Sequence, residues 1–185
     1  MSLPDAEILY AELVKKIRAD SDKRDKRFAL VGIHTGGAWL AERLYQELHT
    51  PESHGPAEQL GMLSVSFHRD DFDRIGLHAL KKASDISFPV DGAHILLVDD
   101  VLQSGRTIRA AINELFDYGR PASISLAILV DRGGRELPVC AQYVGMALEL
   151  PKEKILVFNR DNQGKFYLSM EDKKSAASND QDTAT

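Results

Sequence analysis

ILLVDDVLQSGRT, residues 95–107, is the stretch on which the reading of this chain turns. An apolar run ends in adjacent carboxylates, Asp99 and Asp100, and passes into a loop with Ser104, Gly105 and Thr107 that opens a helix. In an open parallel sheet, ligands bind beyond the carboxyl ends of the strands, where the next helix presents N–H groups without intrahelical partners and the positive end of its dipole. A phosphate fits such a place. Gly105 lets the backbone come close to it, the Ser104 and Thr107 hydroxyls add hydrogen bonds, and the upstream carboxylates suit the vicinal hydroxyls of a sugar carried on that phosphate. Asp, Ser and Thr also end strands and cap helices for local reasons, so either half of the stretch alone reads as a strand end or an N-cap. Joined directly behind an apolar strand, the two halves point to a sugar phosphate.

The flanking chain repeats the same strand, loop, helix pattern. Ile8, Leu9, Leu13, Val14 and Ile17 recur at helical spacing and predict a first helix ending near the charged run from Asp20 to Arg27, itself a solvated turn. Lysines and arginines in that region alternate with Asp20, Asp22 and Asp25, which favours a solvated surface over a basic binding face. FALVGI (28–33) predicts a buried parallel strand, and residues 38–48 the helix behind it. TPESHGPAEQLG (50–61) is expected to be a surface connection, MLSVSFH (62–68) a strand, and the polar stretch 69–91 a mobile arm. HILLVDD (94–100) is then a strand, 101–107 a loop, 108–118 a helix, SISLAILV (123–130) a strand, and 142–144 and 154–158 the last strands. The expected architecture is an α/β fold with a mostly parallel central sheet covered by helices on both faces, over residues 1–172, with 173–185 a disordered tail.

Composition bounds the function. Of 185 residues, 23 are Lys or Arg and 28 Asp or Glu, and the net charge of −5 argues against a dedicated nucleic-acid binder. The apolar runs fall far short of the ~18 residues that span a membrane. One cysteine, Cys140, excludes an intramolecular disulfide and a cysteine-based zinc site, and the N-terminal stretch has no signal pattern, so a cytoplasmic location is expected. Histidines 34, 49, 54, 68, 78 and 94 have no paired metal-ligand spacing, and core packing is the expected role of Trp39.

Ile95 to Thr107 resembles the phosphoribosyl-pyrophosphate motif of type I phosphoribosyltransferases, which share a Rossmann-like fold. VGIHTGG (31–37), FHRDD (67–71), FPVDG (88–92), YGRPASISLAILVDRGGRELPVCAQYVG (118–145) and KEKILV (152–157) extend the resemblance to the pyrimidine-operon regulator (PyrR) family, some members of which combine uracil phosphoribosyltransferase activity with RNA-binding regulation. The resemblance implies that Asp99 and Asp100 hold the ribose hydroxyls. It implies that Val101, Leu102, Gln103, Ser104, Gly105, Arg106, Thr107 and Ile108 wrap the 5'-phosphate, and that Thr35 and Gly36 with Gly37 form the pyrophosphate loop. Arg132 would stand at the base pocket, with the 130–134 turn reading the edges of uracil, and Lys154 and Ile155 on its far side. Mg²⁺ would arrive with phosphoribosyl pyrophosphate and meet Asp99 and Asp100, with no metal site built from protein ligands alone. Arg69, or Arg74, on the arm would reach the pyrophosphate, although Arg69, Asp70 and Asp71 suit a solvated cluster equally well. A homodimer or a higher homo-oligomer, and no membrane partner, are also implied.

Three departures and choices refine this. Purine 6-oxo phosphoribosyltransferases resemble the motif but carry an acid where Gln103 stands, so Gln103 tilts the base towards a pyrimidine. The family's Lys-Thr-Arg-Gly loop here reads His34, Thr35, Gly36, Gly37, which removes two cations from the pyrophosphate. Members that bind messenger RNA use a His and an Arg flanking the RELP segment; Gly134 and Cys140 stand there, leaving Arg135. The leading expectation is an Mg²⁺-dependent enzyme making UMP and pyrophosphate from uracil and phosphoribosyl pyrophosphate. The alternative is a UMP- or UTP-sensing RNA-binding regulator with little transferase activity.

Overall fold

A computed structural model describes residues 3–24, 27–49, 57–65, 83–151 and 153–172. In chain order the elements are α1 (Ala6–Arg24), β1 (Phe28–Ile33), α2 (Gly36–Leu48), β2 (Ala57–Leu63), β3 (His94–Leu102), α3 (Arg106–Tyr118), β4 (Ser123–Asp131), β5 (Tyr143–Ala147), β6 (Lys154–Arg160) and β7 (Phe166–Asp172). Five strands form one sheet in the order β2-β1-β3-β4-β5, and every neighbouring pair is parallel. β6 and β7 form a separate antiparallel pair.

The order of the sheet fixes where a ligand can sit. From β1 the chain crosses through α2 to β2 on one side, whereas from β3 it crosses through α3 to β4 on the other. The direction of winding therefore reverses between β1 and β3, and the loops that leave their carboxyl ends part to open a crevice. Adjacent register, Gly32 beside Val98, puts the HTGG turn and the DD pair next to each other across that crevice.

Both faces of the sheet are covered, which is why its central strands read as unbroken apolar runs. Along β3 the burial alternates between two cores: Leu96 and Val98 pack with Leu13 and Ile17 of α1 and Leu40 and Leu44 of α2, while Ile95 and Leu97 pack with Ile108, Ala111 and Leu115 of α3. The β6–β7 pair joins the first core through Leu156, Phe158 and Phe166.

Several boundaries differ from the sequence expectation. β2 begins at Ala57, inside the stretch expected to be a surface connection, because pairing of Leu30 with Leu60 and Val31 with Gly61 outweighs the local breaker residues. β3 continues past the acid pair to Leu102, since Val101 and Leu102 still pair with Val130 and Asp131 of β4. α2 starts at Gly36 and α3 at Arg106, where Ser104 Oγ accepts the Arg106 N–H at 3.1 Å, so both glycine-bearing turns run directly into their helices. α1 continues to Arg24, through much of the run expected to be a turn, and Ile8, expected on its apolar face, is exposed while Tyr10 is buried. β5 lies at Tyr143–Ala147, and β7, not anticipated, pairs along the whole of β6.

Residues 69–82 of the expected arm, Arg69 and Arg74 included, lie outside the described residues, as do the tail residues 173–185. Asp85 pairs antiparallel with Met62, and Ser84 Oγ accepts the Ser64 N–H at 3.0 Å. No helix among the described residues is long and apolar enough to cross a membrane.

Leu96 is fully buried in the central strand between α1 and α2. Leu96→Ala is expected to cost about 2–5 kcal/mol through lost contacts and the cavity left behind. Thermal unfolding should show a midpoint lower by roughly 4–20 °C, at about 2–4 °C per kcal/mol for a chain of this size.

Candidate active site

At the end of β3 the two carboxylates face different surroundings. Asp99 is buried at 5% exposure, and its Oδ1 accepts the Asp100 N–H at 3.0 Å. Asp100 is half-buried, and its Oδ1 accepts the Val101 N–H at 2.9 Å. Each side chain is thus held by the backbone amide that follows it, which keeps both carboxylates at the strand end instead of letting them swing into solvent.

Across the crevice, the two glycines that open α2 press against this pair. A Cβ placed on Gly36 would run into the Asp100 carboxylate, 2.7 Å from its Cγ, and would stand 2.9 Å from the Phe158 ring. One placed on Gly37 would run into the Val98 carbonyl and come within 2.9 Å of Asp99 Cα. The missing side chains let the backbone at the N-terminus of α2 lie directly on the acid pair. Thr35 is exposed at the lip of the crevice, and the peptide bond between His34 and Thr35 is cis.

The 103–108 loop supplies the second helix N-terminus. Gly105 has φ +91°, Ser104 and Ile108 are buried, and Gln103 and Thr107 are half-buried. A strap from residue 132 to 139 holds this loop from outside. The Ser104 carbonyl accepts N–H groups from Glu136 and Leu137, each at 3.0 Å, and the Leu102 carbonyl accepts that of Arg132 at 3.0 Å. Arg135 donates to the Gln103 carbonyl at 2.8 Å and the Val139 carbonyl at 3.0 Å, and pairs with the Asp131 carboxylate. Arg106 pairs with Glu136 at 2.6 Å. Gly133 and Gly134, at φ +69° and +75°, fold the strap back so that Gly134 lies beside the Gln103 side chain.

β6 covers the crevice from the remaining side. Arg132, buried at 7% exposure, donates its guanidinium to the Lys154 carbonyl at 2.8 Å, and Ile155 follows, half-buried. The structure therefore gathers Gly36, Gly37, Asp99, Asp100, the 103–108 loop, Arg132 and the start of β6 around one crevice. Phe158, which closes that crevice over Gly36, went unrecognised in the sequence, where it reads only as the apolar end of a strand. Trp39 is half-buried with its ring 6.2 Å from Phe158 and the Arg160 guanidinium 4.9 Å above it, a packing role as expected.

The donor set is oxygen-only. No group of three or more His, Cys, Asp or Glu side chains suited to a metal ion occurs among the described residues. Two adjacent carboxylates at the end of β3 are a donor set that would suit a Mg²⁺ ion keeping several waters, the usual way in which this ion is held.

Residues 2–158 match the phosphoribosyl transferase domain. The chain is 50% identical over 155 residues to the Bifunctional protein PyrR of Pseudomonas aeruginosa, an overlap of 83% of this chain and 88% of that one. It is 52% identical over 134 residues to the Bifunctional protein PyrR of Nitrosococcus oceani, an overlap of 72% of this chain and 73% of that one. Among solved structures it superposes on a hypoxanthine phosphoribosyl transferase of Trypanosoma cruzi with a TM-score of 0.62 and 20% identity, over 81% of this chain and 78% of that one, a likeness of fold. The crevice at the β1/β3 switch point and the length of the match together settle the family: this chain belongs to the phosphoribosyltransferases, as a member of the PyrR type.

Proposed function

We propose that this protein transfers the phosphoribosyl group of phosphoribosyl pyrophosphate to uracil, giving UMP and pyrophosphate. The observation that carries the reading is the contact of the Gly36–Gly37 turn with the Asp99–Asp100 pair, because a helix N-terminus and a carboxylate pair placed together suit one sugar that carries a phosphate at one position and a pyrophosphate at another. In this reading the α3 N-terminus, with Ser104, Gly105 and Thr107, receives the 5'-phosphate, and Asp99 and Asp100 receive the ribose hydroxyls. The α2 N-terminus at Thr35 and Gly36 receives the pyrophosphate. Val101, Leu102, Gln103, Arg106 and Ile108 complete the wrap, and Arg132 and Ile155 border the base. Gln103, lying beside Gly134, supports uracil over a purine because an amide cannot act as an acid or base.

As pyrophosphate leaves, positive charge develops at the ribose C1, so the chain contributes orientation, exclusion of water and fixed negative charge on the sugar side. Mg²⁺, bound with phosphoribosyl pyrophosphate beside Asp99 and Asp100, would neutralise charge on the leaving group. Arg69 is kept as a proposed arm contact to that leaving group. The domain is read as residues 1–172, and the exposed, lone Cys140 accords with a reducing, cytoplasmic setting.

The regulatory reading is weaker here than the enzymatic one. Besides Gly134 and Cys140, the remaining cation of the RELP region, Arg135, spends its guanidinium on three backbone carbonyls and Asp131. Few side chains are left there to neutralise RNA phosphates.

The deciding assay follows UMP formation from uracil with Mg²⁺, run beside hypoxanthine, guanine and orotate, together with binding of a pyrimidine-operon leader RNA over a salt series. Turnover selective for uracil and only weak, sequence-indifferent RNA binding are expected. Turnover on a purine, or tight leader binding without turnover, overturns the reading. Asp100→Asn is expected to keep the fold and lose activity on the order of 100-fold or more, as a charged acceptor for the ribose is removed. Gly36→Ala should raise the KM for phosphoribosyl pyrophosphate by roughly 10- to 100-fold with little change for uracil, because its methyl group drives the turn off Asp100.

A further inference from the structure

The β6–β7 pair is fastened at both ends, and only one end is at the site. At the first, the Lys154 carbonyl takes the Arg132 guanidinium. At the other, where Arg160 pairs with Phe166 beside the connecting turn, the fastening comes from α1 and α2. Glu7 accepts the Phe166 backbone N–H at 2.7 Å, Arg43 Nη1 at 2.9 Å and Arg43 Nη2 at 2.8 Å. The Arg43 guanidinium lies 4.5 Å from the centre of the Tyr10 ring and 4.9 Å from that of Phe166. Phe166 in turn meets Phe158 at 5.0 Å, and Phe158 borders Gly36. An unbroken line of contacts thus runs from Glu7 and Arg43 through two aromatic rings to the pyrophosphate turn.

We propose that Glu7 and Arg43 are positioning residues for phosphoribosyl transfer, seating the β6–β7 pair so that Phe158 and the β6 backbone close over the crevice. This rests on the transferase reading of the crevice. A backbone amide at the far end of the hairpin can be released without opening the sheet, so loss of the clamp lets β6–β7 pivot about Lys154 while the parallel core stays intact. Planar, two-pronged pairing of a carboxylate with a guanidinium is geometrically demanding, which suits a part that must hold one angle.

The electrostatics keep the clamp charged. Burial and nearby Asp5 act to raise the Glu7 pKa, but the Arg43 and Phe166 hydrogen bonds outweigh them, and the carboxyl sits below its ordinary value. On the α2 side, the bond to Glu7 holds Arg43 above its ordinary value, with Glu47 adding to the effect. Burial first, and then Glu47, push the Tyr10 hydroxyl well above the ordinary phenol range, so it stays neutral beside the pair. A carboxylate whose folded pKa is depressed gives its full stabilisation above its unfolded value and loses it as the pH falls through the folded one. The clamp is therefore closed throughout the neutral range.

The test uses the full chain with Glu7→Gln, which keeps shape and volume, and Arg43→Lys, which keeps charge but loses the fork. Steady-state kinetics are measured for both substrates, and amide hydrogen exchange is measured strand by strand. Both variants are expected to lower kcat by about tenfold or more and to speed exchange across β6 and β7 by about tenfold, with β3 amides unchanged. Unchanged exchange in β6 and β7, or equal acceleration in β3, overturns the clamp, as does faster β6–β7 exchange with wild-type kinetics. A wild-type protein inert on uracil would count against the transferase reading, and exchange would still decide whether Glu7 and Arg43 fasten the hairpin.

Discussion

Two parallel strands, β1 and β3, lie side by side while the chain leaves them in opposite directions, and every feature of the site depends on that reversal. Because a parallel ladder aligns the carboxyl ends, the turn behind β1 and the acids at the end of β3 must share one rim. They can touch only if the turn has no side chains, and Gly36 and Gly37 meet that condition. The α2 N-terminus consequently bears on Asp100 and the α3 N-terminus lies one strand spacing away. Two helix N-termini and a carboxylate pair are held by backbone geometry, with little reliance on long flexible side chains.

Rigidity at the rim comes from what surrounds it. Strand β3 is packed on both faces, so its end cannot shift without disturbing two cores. The 132–139 strap adds hydrogen bonds to the carbonyls of Leu102, Gln103 and Ser104, where β3 passes into the loop before α3. The antiparallel β6–β7 pair belongs to neither strand ladder, and its seating depends on side-chain contacts with α1 and α2.

The parallel core was legible in the sequence because it obeys a local rule: FALVGI, HILLVDD and SISLAILV are short apolar runs closed by turns, the mark of strands buried on both faces. The acid pair and its loop were legible because their order along the chain is itself the geometry of a strand end. β2 was misplaced because AEQLGML carries no such run, and its strand exists through pairing with β1. β7 and the part played by Phe158 were not legible, since a hairpin that closes on a residue near the other end of the chain leaves no local periodicity to read. The same holds for Glu7 and Arg43, which look like ordinary helix-surface charges until α1, α2 and β7 are assembled.

Charge explains why the site is built of backbone. In the proposed reading a protein with a net charge of −5 receives a highly anionic substrate, and among the described residues the arginines bordering the crevice are already committed: Arg106 to Glu136, Arg135 to carbonyls and Asp131, Arg132 to the Lys154 carbonyl. The His34–Gly37 turn adds no lysine or arginine. Helix dipoles and N–H groups fill that role without adding mobile charge, and their partial charges are fixed before the substrate arrives. Such a site would hold a phosphate by direction and distance, and lose less to salt than a patch of exposed lysines. In the proposed reading, the closeness of Asp99 and Asp100 leaves the balancing charge to a divalent ion that enters with the substrate.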